Sequence, residues 1–302
     1  MSISISKDCK ILLYADDSTI LYSHKNPEVI SEKLGKELES CSKWLIDNKL
    51  SLHLGKTETI LFGSKRKLSK IRNFDVTCNN HTISSQNCVK YLGLNIDNSL
   101  SGENFLNNII QKINSRLKFL YRQAKCLSEQ SRKTLVTALI QCHFDYACSA
   151  WYAGVSKKYK DKLQVLQNKC VRFIKNTGYR SKVDHNVLNS IGYVNIENRV
   201  KQLRLNHVHN IYYHHCPNYM YSNFTKVRHL HHHFTRNSEY NFWVPPVKSQ
   251  QKDTFYFNGI QDWNMLPIKV KKIKKIKEFK ISVKEHLTKS YSAASSDSFL
   301  YY

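Results

Sequence analysis

The sequence lacks any apolar run long enough to cross a bilayer, and Met1–Ser6 lacks the charged start and apolar core of a signal peptide. It also lacks a CxxC pair, and its nine cysteines are scattered and odd in number. We therefore expect buried, reduced thiols rather than a disulfide framework. Together these absences predict an intracellular protein, nuclear or cytoplasmic, that is neither secreted nor inserted in a membrane.

Acidic residues are scarce. The 302-residue chain has 23 Asp and Glu against 47 Lys and Arg, which gives a formal net charge of +24. An excess of this size predicts a polyanionic partner. We favour nucleic acid over an acidic membrane surface, because the basic residues are spread through the chain and no lipidation motif occurs. A basic surface without any partner is the remaining interpretation. Aromatic residues at 12% and a regular apolar periodicity argue for a folded chain.

The first hundred residues predict short strands around one helix. Apolar segments on both sides of Asp16-Asp17-Ser18 indicate a strand, a turn and a second strand. Asn26 is a predicted N-cap, with Pro27 at the first helical position. Further strands are expected at residues 59–62, 76–78, 81–83 and 89–97. The middle two flank Asn79-Asn80, which suits a hairpin turn because Asn tolerates positive φ.

Beyond residue 100 the apolar spacing changes from two residues to 3.6, which predicts a helical bundle. The first helix has an apolar face made of Phe105, Ile109, Ile113, Leu117 and Leu120. A second helix is capped by Ser128. Its expected buried face is Leu135, Leu139 and Cys142. A third helix is predicted over residues 160–176, with Gly178 placed to end it. After Ser181 the periodicity weakens.

Two adjacent carboxylates, Asp16 and Asp17, stand at the tip of the first predicted hairpin. Flanking apolar strands would hold their oxygens in fixed positions, which suits Mg²⁺, an ion that shares its coordination with water and substrate phosphates. Two such ions about 3.5–4 Å apart activate a 3′-hydroxyl and stabilise the leaving oxygen in phosphoryl transfer. Ordinary turn chemistry is the alternative, because Asp is common in turns.

Three motifs, in this order, resemble those of one enzyme family. Tyr14-Ala15-Asp16-Asp17 is similar to the YxDD motif of reverse transcriptases. Residues 50–58, LSLHLGKTE, resemble the lysine-bearing palm motif that follows it in non-LTR retrotransposon polymerases, with His53 where the family usually has Asn. Residues 90–94, KYLGL, resemble the strand motif that supports the primer terminus. Three motifs in register make chance similarity the minor interpretation.

The resemblance continues through most of the chain. Residues 135–151 and 167–172 are similar to the thumb segment of LINE-like elements of the jockey type, and residues 262–267, DWNMLP, fit the same family. The resemblance implies an α+β protein. Its three expected parts are a partial polymerase palm at 1–100 (an antiparallel sheet with the YADD hairpin and a packing helix), an all-α thumb-like bundle at 101–180, and a mixed, basic, His- and Lys-rich region at 181–302.

The resemblance also assigns roles. Asp16 would bind the catalytic Mg²⁺ directly, with Asp17 as a weaker or shared ligand. Lys56 would neutralise or protonate the departing pyrophosphate, although by itself it is typical of a solvated surface lysine. The residues expected beside the primer and template are Tyr14 and Ala15 at the minor groove, and Tyr91, Leu92 and Gly93 at the primer end. Gly93 would allow close backbone approach, or would mark a bulge. The implied partners are an RNA template, a DNA primer and, in the full-length parent, a dNTP.

The family's polymerase core needs a third carboxylate on an earlier strand, together with the fingers. Thirteen residues precede Tyr14, and the one acid among them, Asp8, is too close to the hairpin to replace it. We expect a truncated RNA-directed DNA polymerase that is inactive alone and is completed by an upstream polymerase half. Its palm sheet would expose an apolar face and an unpaired edge. The alternatives are a non-enzymatic, nucleic-acid-binding remnant of a retrotransposon and an unrelated basic scaffold.

Eight histidines lie between His207 and His233. His-rich tracts bind zinc in some proteins, but no second cysteine accompanies Cys216, so we interpret these histidines as surface groups that add to RNA affinity.

Seven lysines lie between Lys269 and Lys280. Ile273, Ile276, Phe279 and Val283 recur among them at helical spacing, which predicts an amphipathic basic helix. Its lysines would run along phosphates and give a salt-sensitive, sequence-independent attraction. The residues assigned to this role are Lys271, Lys272, Lys274, Lys275 and Lys277. A nuclear-import signal and a solvated face are the alternatives.

Overall fold

The structure, a computed structural model, describes residues 6–230 and 239–297. The chain divides into two compact units, residues 1–105 and residues 106–302. All of the described strands lie in the first unit, and the second is built from helices. The mixed α+β class expected from the sequence is therefore confirmed. The expected boundary at residue 180 falls within the second unit.

The strands of the first unit form three separate antiparallel hairpins. The pairs are β1 (Lys10–Tyr14) with β2 (Asp17–Leu21), β3 (Asp75–Cys78) with β4 (His81–Ser84), and β5 (Cys88–Tyr91) with β6 (Leu94–Asp97). Each pair turns in two residues. At Asn79 and Asn80 both φ angles are positive, 49° and 62°, which is the pattern of a type I′ turn. The predicted turn there is confirmed.

Two strand predictions are wrong. The expected strand at 89–97 is a hairpin, because the chain reverses at Leu92 and Gly93, whose φ angles are 45° and 81°. The expected strand at 59–62 is not part of any described β-sheet. In the described chain, Thr59 forms only an isolated bridge with Ser85, and its carbonyl accepts a hydrogen bond from a neighbouring loop amide at 2.7 Å.

Helix α1 (Pro27–Asp47) packs on β3 and builds the small core of the first unit. The Asn26 side chain accepts the Glu28 amide at 3.0 Å, so the predicted cap is confirmed. At Gly35 the helix lies so close to the strand that an added Cβ would be 2.6 Å from the Thr77 carbonyl oxygen. Only glycine allows this approach. The buried residues of the core are Ile30, Phe74 and Val76.

The remaining helical segments of the first unit are short, and those that follow range from one turn to several turns. In the first unit they are a 3₁₀ turn at Leu54–Lys56 and α2 (Lys65–Leu68). Those that follow are α3 (Glu103–Arg122), α4 (Glu129–Val136), a π-helical turn (Thr137–Gln141), α5 (Cys142–Asp145), α6 (Cys148–Trp151), α7 (Lys157–Lys175), α8 (His185–Ser190), α9 (Ile196–His214), α10 (Asn218–Tyr221), α11 (Phe255–Met265), α12 (Ile268–Lys271) and α13 (Ile276–Asp297).

The helix predictions hold in part. All five apolar residues assigned to the face of α3 are buried, and Ser128 caps α4 by accepting the Ser131 amide at 3.1 Å. The predicted face of the second helix is wrong, since Leu139 and Cys142 are exposed. The buried face is instead Val136, Ile140 and Phe144. Both sets have helical spacing, so periodicity alone does not choose between them. Helix α7 ends at Lys175 and is capped by Asn176, with φ 54°, rather than by Gly178.

One hydrophobic core of the second unit lies where the sequence periodicity is weak. Leu205, Val208 and Ile211 of α9 pack with Trp263 of α11 and Phe279 of α13. Polar residues of α9 are buried as well: Gln202, Arg204 and His209. Because polar and apolar residues alternate on its buried surface, α9 has no clean apolar stripe. This mixture explains why the pattern fades after residue 181.

Candidate functional site

The β1–β2 hairpin carries the YADD motif at its turn. Tyr14 pairs with Asp17, which leaves Ala15 and Asp16 as the two turn residues. Ala15 has φ 52° at the first central position, the pattern of a type II′ turn. All four motif residues are exposed. The predicted strand–turn–strand is confirmed, and it presents both carboxylates to solvent.

The donor chemistry of the turn fits part of a magnesium site. In the described part of the chain, neither Asp16 nor Asp17 makes a side-chain hydrogen bond or an ion pair. Carboxylate oxygens are the hard ligands that Mg²⁺ takes. Two carboxylates can bind a single ion but not the catalytic pair of ions, and the described residues contain no group of three His, Cys, Asp or Glu side chains that could hold a metal.

The strands beside the turn expose apolar side chains. Leu12, Leu13 and Leu21 are 47%, 50% and 40% exposed. In the described chain, no third strand joins β1 and β2, so each strand has one edge without ladder hydrogen bonds. An apolar two-stranded ribbon with open edges favours the addition of further strands.

The other motif residues lie on separate elements. Lys56 is exposed at the end of the 3₁₀ turn Leu54–Lys56. Tyr91 ends β5, and Leu92 and Gly93 form the turn that follows it. Gly93 is therefore a turn residue, not a residue within a strand. Since the three hairpins share no sheet in the described residues, a single palm sheet that gathers the motifs is not formed by these residues.

The lysine-rich segment is only partly a basic face. Lys271 is 2% exposed, and its Nζ donates to Asn241 Oδ1 and the Asn264 carbonyl oxygen, both at 2.8 Å. Burial lowers its pKa to about 8. The prediction that Lys271 lies along phosphates is therefore wrong, because its ammonium ties two segments of the core together.

The other assigned lysines are accessible. Those with exposed side chains are Lys272, Lys274, Lys275 and Lys277. Lys275 lies 3.3 Å from the Glu278 carboxylate. The predicted amphipathic helix begins only at Ile276, as α13, and it buries Phe279 and Val283. Most of the basic cluster thus precedes the helix.

The histidine-rich stretch is not uniformly a surface feature. His209 is fully buried, and its Nε2 lies 2.8 Å from the Ile273 carbonyl oxygen, so Nε2 carries the proton. Its ring packs against Phe279 at 4.3 Å between centroids. The interpretation of His209 as an RNA-binding surface group is wrong. His207, His214, His215 and His229 are exposed, and His231–His233 lie outside the described residues.

Lowering the pH below neutrality is expected to destabilise the second unit through His209. Burial, partly opposed by the hydrogen bond to Ile273, lowers the pKa of this imidazole. The stabilisation from the neutral ring is therefore complete above its ordinary pKa of about 6.5 and is lost as the pH falls towards the lowered value. Melting temperature should decrease from pH about 7.5 to about 5. The decrease should be smaller in His209→Gln and unchanged in His229→Gln, which alters an exposed histidine. If the melting temperature of the unchanged chain, His209→Gln and His229→Gln depended equally on pH, this role of His209 would be contradicted.

A second polar site, which the sequence did not indicate, lies in the second unit. It is a crevice of about 170 Å³. Its lining residues are Tyr152, Ala153, Lys160, Glu197, Lys201, Arg204, Asn258 and Asp262. They come from α7, α9, α11 and the segment after α6. Because these segments are far apart in sequence, no local motif could have revealed the site.

Searches against protein families, curated proteins and solved structures give no match to this chain. No helix in the described ranges combines the length and the apolar character needed to cross a bilayer.

Proposed function

We propose that this chain contributes the metal-binding hairpin of an RNA-directed DNA polymerase of the non-LTR retrotransposon type. The observation that carries the proposal is the exposed pair Asp16 and Asp17, held at a two-residue turn between paired strands. The resemblance of residues 50–58 and 90–94 to the next two motifs of that family supports it. The proposed partial palm and thumb-like bundle correspond to the hairpins and to the helices that follow.

The proposed roles follow from the chemistry of each side chain. Asp16 holds a catalytic Mg²⁺ and Asp17 shares it; bound there, the metal supplies activation of the primer 3′-hydroxyl and stabilisation of phosphate charge. The exposed ammonium of Lys56 neutralises the departing pyrophosphate. Tyr14 and Ala15 lie along the primer–template duplex. The turn at Tyr91, Leu92 and Gly93 supports the primer end.

A complementing polypeptide segment is part of the proposal. Two carboxylates do not hold a pair of metal ions, and the described residues bring no third ligand to the hairpin. The exposed apolar faces of β1 and β2 and their open edges suit the addition of strands that carry this ligand. The same observation favours a second candidate, a non-enzymatic remnant that binds nucleic acid without metal-dependent chemistry.

The proposed partners are an RNA template and a DNA primer. The net charge of +24 supports attraction to both. Lys272, Lys274, Lys275 and Lys277 are exposed and contribute to it, whereas Lys271 does not. Because phosphate contacts release counterions, this affinity falls steeply with salt and depends little on sequence.

A primer-extension assay tests the proposal. The template is poly(rA) with an oligo(dT) primer and Mg²⁺, and the proteins are the 302-residue chain alone and the same chain joined to the fingers and first aspartate segment of a related element. We expect both proteins to bind RNA and only the joined protein to extend the primer. Robust extension by the chain alone would contradict the missing-ligand argument. If the joined protein binds RNA but does not extend the primer, the result would favour the non-enzymatic remnant.

A further inference from the structure

The polar crevice of the second unit has an excess of positive charge. It also contains hydrogen-bond donors that lack acceptors. Its lining includes three cations, from Lys160, Lys201 and Arg204, and two acids, from Glu197 and Asp262. Lys201 pairs with Glu197 at 2.9 Å, and Arg204 pairs with Asp262 at 2.6 Å. Both carboxylates are thus neutralised within the crevice wall. The cation left over is Lys160.

Lys160 has no acidic partner in the described chain. Its Nζ donates to the Ala153 carbonyl oxygen at 3.3 Å, a long contact, and lies 5.2 Å from the centre of the Tyr152 ring. The ammonium can donate three hydrogen bonds, and the structure uses one. An ammonium that lines a crevice without a counter-charge favours the entry of an anion.

Arg204 is a second donor group whose hydrogen bonds are only partly made. Its side chain is 5% exposed. One guanidinium nitrogen, Nη1, bonds Asp262, but the buried Nε has no hydrogen-bond partner within the described residues. An unsatisfied buried donor on a charged group is costly, which favours an acceptor that reaches it. The geometry of an arginine fork suits the oxygens of a phosphate or a carboxylate.

The Tyr152 hydroxyl completes the donor set. Tyr152 is 6% exposed, and its hydroxyl bonds no other described residue. Burial raises the pKa of this phenol, with Glu197 acting in the same direction. The hydroxyl therefore stays protonated and remains a donor at neutral pH. One ammonium, one guanidinium and one phenol therefore line the same crevice.

We propose that this crevice binds a phosphate group through Lys160, Arg204 and Tyr152. Its single excess positive charge matches a phosphodiester or a singly charged inorganic phosphate, and a volume of about 170 Å³ has room for one such group with water. The phosphate comes either from a nucleic-acid backbone or from solution. The site belongs to the second unit and goes beyond the proposed metal chemistry, since none of its residues belongs to the YADD hairpin.

Calorimetric titration of the full chain with inorganic phosphate, at constant ionic strength in chloride, tests this site. We expect Lys160→Gln to raise the dissociation constant by about tenfold or more, because a hydrogen bond to a charged group is lost. Tyr152→Phe should raise it by a few fold. Lys158→Gln, two residues away on the exposed face of α7, is the matched control and should bind as the unchanged chain does. Circular dichroism checks that each variant is folded.

Two results would overturn the proposal. One is the absence of phosphate binding at millimolar concentration by the unchanged chain. The other is the same dissociation constant for Lys160→Gln and Lys158→Gln. A parallel titration with a short single-stranded RNA separates the sources of the phosphate. If the backbone occupies the crevice, Lys160→Gln weakens RNA binding more than Lys158→Gln does; if free phosphate is the ligand, the two variants bind RNA equally.

Discussion

Asp16→Asn is expected to abolish primer extension by the joined polymerase, with a loss of at least about 10³-fold. An amide keeps the size of the side chain but removes the negative charge that a divalent ion requires. Since Asp16 is an exposed turn residue without a described side-chain partner, the hairpin should fold as before. Affinity for the template–primer should stay within about twofold, because phosphate contacts by basic residues dominate it. Extension in Mg²⁺ and duplex binding are measured on the same protein.

The matched control for this change is Asp8→Asn. Asp8 is also exposed and lies just before β1, outside the turn. Asp8→Asn should leave primer extension unchanged. Asp17→Asn should reduce primer extension, because the second carboxylate shares the metal. Equal extension by Asp16→Asn and Asp8→Asn would remove the catalytic assignment. Loss of template binding in Asp16→Asn would instead assign the residue a structural role.

Trp263→Ala is expected to lower the free energy of unfolding by about 3–5 kcal/mol. Trp263 is fully buried, and its ring stacks on Tyr212 with 5.0 Å between centroids. Its Nε1 donates to the Tyr240 carbonyl oxygen at 2.8 Å. The change removes the largest fully buried side chain and leaves that carbonyl without its donor. Chemical denaturation followed by circular dichroism measures the loss.

Met265→Ala is the matched control, since Met265 lies two residues later on the same helix and is 82% exposed. It should change the free energy of unfolding by less than about 0.5 kcal/mol. A loss of similar size in the two variants would contradict the described core.

The segment DWNMLP at 262–267 illustrates what the sequence could and could not show. The proposed similarity of this segment to one polymerase family does not say what its residues do. In the structure, Asp262 pairs with Arg204, Trp263 fills the core, and the Asn264 amide bonds the backbone of Phe242 at 2.9 and 2.7 Å. The motif therefore holds the second unit together. Such contacts join segments distant in sequence, so no local pattern predicts them.

Local features were predictable where short-range chemistry decides the structure. The Asn26 cap, the Asn79-Asn80 turn and the apolar face of α3 are all set by residues within a few positions of one another. The reversal at Leu92-Gly93 was missed because Leu rarely takes positive φ, so the apolar run looked like one strand.

Predictions based on composition were less successful than those based on turns and caps. Lys271 and His209 belong to segments rich in charge, and both are buried with hydrogen-bond partners. A basic composition indicates the average environment of a segment, but each side chain's burial depends on the packing of distant helices. At the YADD hairpin, the sequence predicted the turn and the exposure of the acids, while their metal chemistry remains a proposal.

Binding of Mn²⁺ to the 302-residue chain, measured by paramagnetic broadening of backbone amide signals, tests the proposed metal site most directly. We expect broadening centred on residues 14–18 that disappears when Asp16 and Asp17 are both changed to Asn and persists in Asp8→Asn. Broadening centred elsewhere, or broadening at the hairpin that the double change leaves intact, would contradict the assignment of these two carboxylates to a divalent ion.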